Sequence, residues 1–210
     1  MHSKKLTQLA TDNRDAANWY DNAAAEIADV CNAAGWDRDT FTAILAITSP
    51  RVSVCRNLRI TLQYMATGRT FPNTMAMIND CISHYHATGE IRGPKTGPFR
   101  AALCGDTSAI VLDTHMASLL GVKQSAFSRR AVRIKCYGIV RRVAAAARLT
   151  PRDCQATLWT GYLRGIGRNP ARFNVRQEFA NLLAYGGSFP IVGAIRQLAS
   201  TNGNYQPSLF

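Results

Sequence analysis

No two of the six cysteines, at 31, 55, 81, 104, 136 and 154, stand closer than eighteen residues. That spacing excludes a local zinc-finger or redox pair and the clustered thiols of an iron–sulfur site. Reduced thiols, with no metal and no cofactor, are the expectation. No apolar run reaches membrane-spanning length, and no secretory pattern opens the polar stretch from Met1 to Lys5. The expectation is a soluble, monomeric, cytoplasmic protein with no membrane partner. Strand-like alternation is scarce, and there is no internal repeat. Carboxylates are missing in one place: from Thr114 to Arg152 there is none, while Lys123, Arg129, Arg130, Arg133, Lys135, Arg141, Arg142, Arg148 and Arg152 accumulate.

The formal net charge of +12 is therefore uneven, with a net of −3 over residues 1–39 and +15 over residues 40–210. A field of that sign attracts a polyanion by counterion release. A basic solvated helix face is the plain alternative, but it does not account for the missing acids.

Helical periodicity covers nearly the whole chain. Asp12 or Asn13 is placed to cap a first helix running to about Gly35, with Trp19, Ala23, Ile27 and Val30 at core spacing. Asp37 caps a second. Ser49-Pro50-Arg51 breaks it, and a third helix carrying Val54, Leu58, Leu62 and Met65 ends at Gly68. Asn73 caps a fourth, built on Met77, Ile78, Ile82 and Tyr85 and stopped by Gly89. A short helix follows Asp113, then a long basic one from about Ser128 to Leu149. Thr150-Pro151-Arg152-Asp153 opens the next. Further helices are expected at about 174–185 and 190–200, separated by Gly186-Gly187, with a frayed tail from Thr201. His84 and His86 fall on different sides of their helix and are not expected to bind metal.

Between these elements lie two stretches that carry chemistry. Gly93-Pro94-Lys95-Thr96-Gly97 is a tight turn entering a helix, whose unpaired N–H groups suit a phosphate, with Lys95 and Arg100 as charges beside it. Val111-Leu112-Asp113-Thr114-His115 places a carboxylate at a helix start, where capping N–H groups hold it ionised. Taken singly, the first is an ordinary loop and the second an ordinary cap.

Together, in this order and with Lys95 and Asp113 eighteen residues apart, they resemble the core of the helix-hairpin-helix DNA glycosylase superfamily, where a G-x-K-T-A hairpin precedes a V-D-T-H motif. The resemblance implies an all-α, helix-hairpin-helix glycosylase-like fold with two helical lobes around a basic cleft. Residues 1–210 would form a single unit, with a central lobe at about 40–150, a hairpin at 89–97, and the terminal helices in the second lobe. It also implies a catalytic Asp113. The matching lysine of strand-cutting members attacks the sugar; here, beside Arg92 and Arg100, phosphate binding by Lys95 is the favoured role.

Ile47-Thr48-Ser49-Pro50-Arg51, Asn57, Gly93-x-Lys95-x3-Phe99, Asp113 and Gln155-Ala156-x2-Trp159 are similar in order to a narrower, phage-associated branch. This is the alpha-glutamyl/putrescinyl thymine pyrophosphorylase-like clade, which includes amino acid:DNA transferases. The similarity spans about residues 40–165. It implies double-stranded DNA and an amino acid such as glycine as partners, with pyrophosphate displaced from activated 5-hydroxymethyluracil. On that reading Arg51, Lys95 and Arg100 cradle the leaving group, and Asp113 or His115 is the base. Trp159 or Tyr20 stacks on the extruded base, and Gln155 or Asn57 reads its edge. Gly93, Thr96, Gly97, Arg129, Arg130 and Arg133 hold DNA phosphates. For the aromatics core packing is the competing role, favoured for Trp19 and Trp36 and even with stacking for Trp159. A glycosylase excising a damaged or hypermodified base and a non-catalytic DNA-binding module are the alternatives.

Overall fold

The computed structural model describes residues 3–72, 74–170 and 172–185, and all regular structure among them is helical. Ten α-helices run in order: α1 Ser3–Asp12, α2 Trp19–Ala34, α3 Arg38–Thr48, α4 Val54–Thr67, α5 Ala76–Thr88, α6 Thr96–Leu103, α7 Thr114–Leu119, α8 Arg130–Ala147, α9 Pro151–Gly165 and α10 Val175–Tyr185. Short 3-10 turns cover Arg14–Ala16 and Gln124–Ser128. No described helix is long and apolar enough to cross a membrane. The features expected at 73, 186–187 and 190–210 lie outside the described residues.

Local chemistry sets most boundaries. Asp37 accepts the Thr40 N–H at 2.7 Å to start α3, Ser53 accepts from Arg56 N–H at 3.3 Å to start α4, and Thr150 accepts from Asp153 N–H at 3.2 Å to start α9. Gly68 and Gly89 close α4 and α5 in the left-handed conformation that spares a Cβ clash. Three expectations fail. The N-terminal segment is not one helix from residue 13: α1 precedes it, a 3-10 turn follows, and α2 starts only at Trp19. Asn13 is not a side-chain cap; it is buried, donating to Leu9 O and accepting from Arg164. Met77 is not a core position of α5, being 57% exposed.

The chain divides into two compact units, the first from residues 1–22 and 92–171, the second from residues 23–91 and 172–210. In the first, α9 is the central element, with α1, α7 and α8 packed on it. Leu6, Ala10, Leu112, Met116, Val140, Val143, Cys154 and Leu158 form the shared core. Close approach of α1 to α9 depends on Gly161, where an added Cβ would stand 2.6 Å from Asn13 Nδ2 and 2.8 Å from Leu9 Cδ1. Arg14 donates to the carbonyls of Ala147 and Arg148, satisfying orphan acceptors at the C-terminus of α8.

In the second unit α3 is buried along Phe41–Thr48 and packs on α4 and α5. α10 docks on α4, tied by the Arg59–Glu178 ion pair at 2.8 Å, and Glu26 accepts the Val175 N–H that opens α10. Trp36 packs between Phe41 and Phe179, a core role as expected.

Candidate functional site

The first unit brings most of the expected site residues together. Gly93 sits at φ +116°, and an added Cβ would lie 2.9 Å from Thr96 Oγ1. Glycine is required there twice over, by conformation and by space. The buried Thr96 hydroxyl donates to the Arg92 carbonyl, so Thr96 locks the turn instead of offering its hydroxyl to a phosphate. Gly97 is in the first turn of α6, and a Cβ added there would meet nothing within 4 Å, so its backbone is open to approach. No side chain caps α6; Pro98 has no N–H and the Phe99 N–H bonds to the Lys95 carbonyl, so the first-turn donors that remain are those of Thr96 and Gly97.

Asp113 stands at the start of α7, half-buried, with both oxygens fixed. Oδ1 accepts the Met116 N–H at 2.9 Å, and Oδ2 accepts the Trp159 indole N–H at 3.0 Å. The cap is local; the indole is brought in by α9 packing on α7. An ionised carboxylate has about four lone-pair directions, so two bonds leave room for a ligand proton. Trp159 also lies 6.1 Å from the His115 ring, and His115 lies 6.0 Å from Tyr162.

Lys95 is half-buried, its Nζ 5.8 Å from the centroid of the Phe99 ring. Desolvation pulls its pKa below the ordinary lysine value, and the charge of Asp113 opposes that fall. Cation and carboxylate therefore interact within one partly desolvated region.

Behind them is a buried polar layer. The Tyr20 hydroxyl donates to Gln155 Oε1 at 2.7 Å, which engages the amide oxygen internally, and Gln155 as a whole is 3% exposed. Tyr20 is only 4% exposed, so it backs the site and is not an open stacking surface. Burial raises its phenol pKa, with Asp113 adding to the rise and Arg152 opposing it. Arg152, itself buried, pairs with Asp21 at 2.8 Å and Asp153 at 3.0 Å, and its guanidinium lies 5.9 Å from the Tyr20 centroid. In the sequence Arg152 counts only as one more basic residue. A cation in the first turn of a helix opposes the helix dipole, and that mismatch is the one local sign of a dedicated acid partner.

The other expected residues have settings of their own. Arg100 is half-buried on α6. Arg129 and Arg130 are exposed at the start of α8, whereas Arg133 donates to the carbonyls of Phe127 and Ser128 and braces the preceding 3-10 turn. Arg51 and Asn57 belong to the second unit. Arg51 is exposed with φ +61°, an uncommon conformation for any residue other than glycine. Asn57 is buried, donating to Leu45 O at 3.0 Å and accepting from Thr48 Oγ1 at 2.6 Å, so its amide is engaged internally instead of reading a base edge. No group of three or more His, Cys, Asp or Glu side chains suited to a metal occurs among the described residues. His84 and His86 contact Thr88 and Tyr64 respectively.

The chain belongs to a family of unknown function, DUF7178, whose model matches residues 7–165. That span includes Tyr20, Lys95, Asp113, Gln155 and Trp159 alike. No curated protein and no solved structure matches the chain.

Proposed function

We propose that the protein is a DNA base-modifying enzyme that transfers an amino acid, such as glycine, onto pyrophosphate-activated 5-hydroxymethyluracil in double-stranded DNA. The observation that carries this reading is the doubly anchored Asp113 carboxylate beside the desolvated Lys95, in a setting walled by Trp159, His115 and Phe99. The resemblance of the hairpin and V-L-D-T-H stretch to the helix-hairpin-helix glycosylase superfamily, and of the wider motif order to its pyrophosphorylase-like branch, supplies the reaction class.

In the proposed step the amine nitrogen bonds to the exocyclic C5 methylene while the bond from that carbon to the pyrophosphate oxygen breaks. Pyrophosphate leaves with the electron pair, and Asp113 accepts the amine proton. Lys95, as a cation, stabilises the departing oxygens, and the open N–H groups at the start of α6 hold a neighbouring phosphate. Gln155 offers its amide nitrogen to a pyrimidine carbonyl.

A second reading is favoured by one observation, the lowered Lys95 pKa. A lysine whose charged form is disfavoured by burial suits attack on the sugar C1′ with cleavage of the bond to the base, as in a glycosylase, better than it suits holding phosphate. Duplexes bearing thymine, 5-hydroxymethyluracil or its pyrophosphate ester, with and without glycine, separate the two. Glycine-dependent pyrophosphate release supports transfer, and alkali-labile abasic sites support the glycosylase. Salt-sensitive binding with neither product would mean a binding module in which Asp113 only caps.

A further inference from the structure

The outer face of α8 has a layout that the site around Asp113 does not use. Cys136, Val140, Val143 and Ala144 face the core, where α8 packs on α1 and α9. At roughly 100° per residue, Ala131, Gly138 and Ala145 fall along the centre of the opposite side, the two alanines exposed and Gly138 half-buried beside the Arg142 guanidinium. Arg130 and Arg141 line one edge of it, and Lys135 and Arg142 line the other. All four cations are exposed, and among the described residues none has an ion pair or side-chain hydrogen bond. Ile134, 58% exposed, is the single large apolar side chain on that face. An apolar docking surface needs more than one such residue, and an acidic helix would leave the small-residue floor unfilled.

We infer that this face seats in the major groove of B-form duplex DNA, with the two cation rows on the phosphate walls and the Ala/Gly floor over the groove. The inference rests on the DNA-directed reading above and names a second surface for the same partner. Dimensions agree: a helix is about 10–12 Å across, and the B-DNA major groove is about 12 Å wide. The cations from Arg130 to Arg142 extend over about 18 Å of helix. A floor without polar side chains cannot hydrogen-bond base edges, so contact here is carried by phosphates and is largely independent of sequence. The face points away from α9, which carries Gln155 and Trp159, so it anchors duplex without filling the base site.

The test is salt-dependent binding of a labelled 30-base-pair duplex to the whole protein and to a variant carrying Arg130→Ala, Lys135→Ala, Arg141→Ala and Arg142→Ala. Each replacement is exposed and favours helix, and circular dichroism checks the fold. Removing four phosphate contacts should flatten the slope of log affinity against log salt by about 3 to 4, with at least a hundredfold weaker binding near physiological salt. Duplex RNA, whose major groove is too narrow for a helix, should bind the unaltered protein at least tenfold more weakly than DNA. An unchanged slope in the variant, or equal affinity for both duplexes, overturns the inference while leaving the base chemistry standing. Loss of slope in a protein that performs no base chemistry upholds the surface and removes the proposed enzyme.

Discussion

Asp113 and Lys95 divide the chemistry between them, and each can be tested alone. Asparagine caps a helix about as well as aspartate, so Asp113→Asn should keep the fold and duplex affinity while lowering turnover by at least a hundredfold, measured as product per enzyme under saturating DNA. Lys95 gives a pH signature. Its pKa is depressed, so as pH rises it loses its proton earlier than an ordinary lysine of pKa 10.5. If it acts as a cation on the leaving group, turnover falls as pH passes upward through that depressed value. If it is the amine nucleophile, turnover rises over the same interval. Rate–pH profiles of the native protein and of Lys95→Arg, which stays charged, distinguish the two. The glycines of the hairpin should also part company. Gly93→Ala meets both a positive φ and the Thr96 hydroxyl at 2.9 Å, and should cost about 1–3 kcal/mol in denaturant unfolding. Gly97→Ala has open space and a helical setting, so stability should hold or rise while duplex affinity falls.

At the level of elements, α9 is the frame on which the site depends, because it presents Arg152, Gln155 and Trp159 from a single helix. Its contact with α1 has no room for a side chain at position 161. Gly161→Ala should therefore destabilise the protein by about 1–3 kcal/mol, read by thermal unfolding, although alanine is the better helix former. The helix caps at Asp37, Asp113 and Thr150 and the stops at Gly68 and Gly89 are legible in the sequence, since each acts through bonds to neighbours within a few residues. The separate helix α1 is not, because its apolar face is only Leu6, Leu9 and Ala10 and becomes helical by packing on α9. The Tyr20–Gln155 and Trp159–Asp113 bonds are equally illegible, joining residues 135 and 46 positions apart in the chain. Tyr20 and Asn57 are candidates by residue type; only tertiary burial shows that their polar groups are engaged internally.

Over the whole molecule, charge and thiol placement give independent readouts. Burial pushes the thiols of Cys31 and Cys154 up to about 12 and raises that of Cys136. Cys55 and Cys104 are exposed, one in each unit, and a hydrogen bond to Glu178 raises the pKa of Cys55. At pH 8 a thiol reagent should label the exposed Cys55 and Cys104 in the folded protein, reaching Cys31, Cys136 and Cys154 only after denaturation. Rapid labelling of any of those three would contradict the described packing. The most direct test of the central claim is pyrophosphate release from duplex DNA bearing the pyrophosphate ester of 5-hydroxymethyluracil, followed for the native protein and Asp113→Asn with and without glycine. The expected result is glycine-dependent release that the substitution abolishes without loss of DNA binding. Full release by Asp113→Asn, or none by the native protein while it holds the duplex, would contradict the claim.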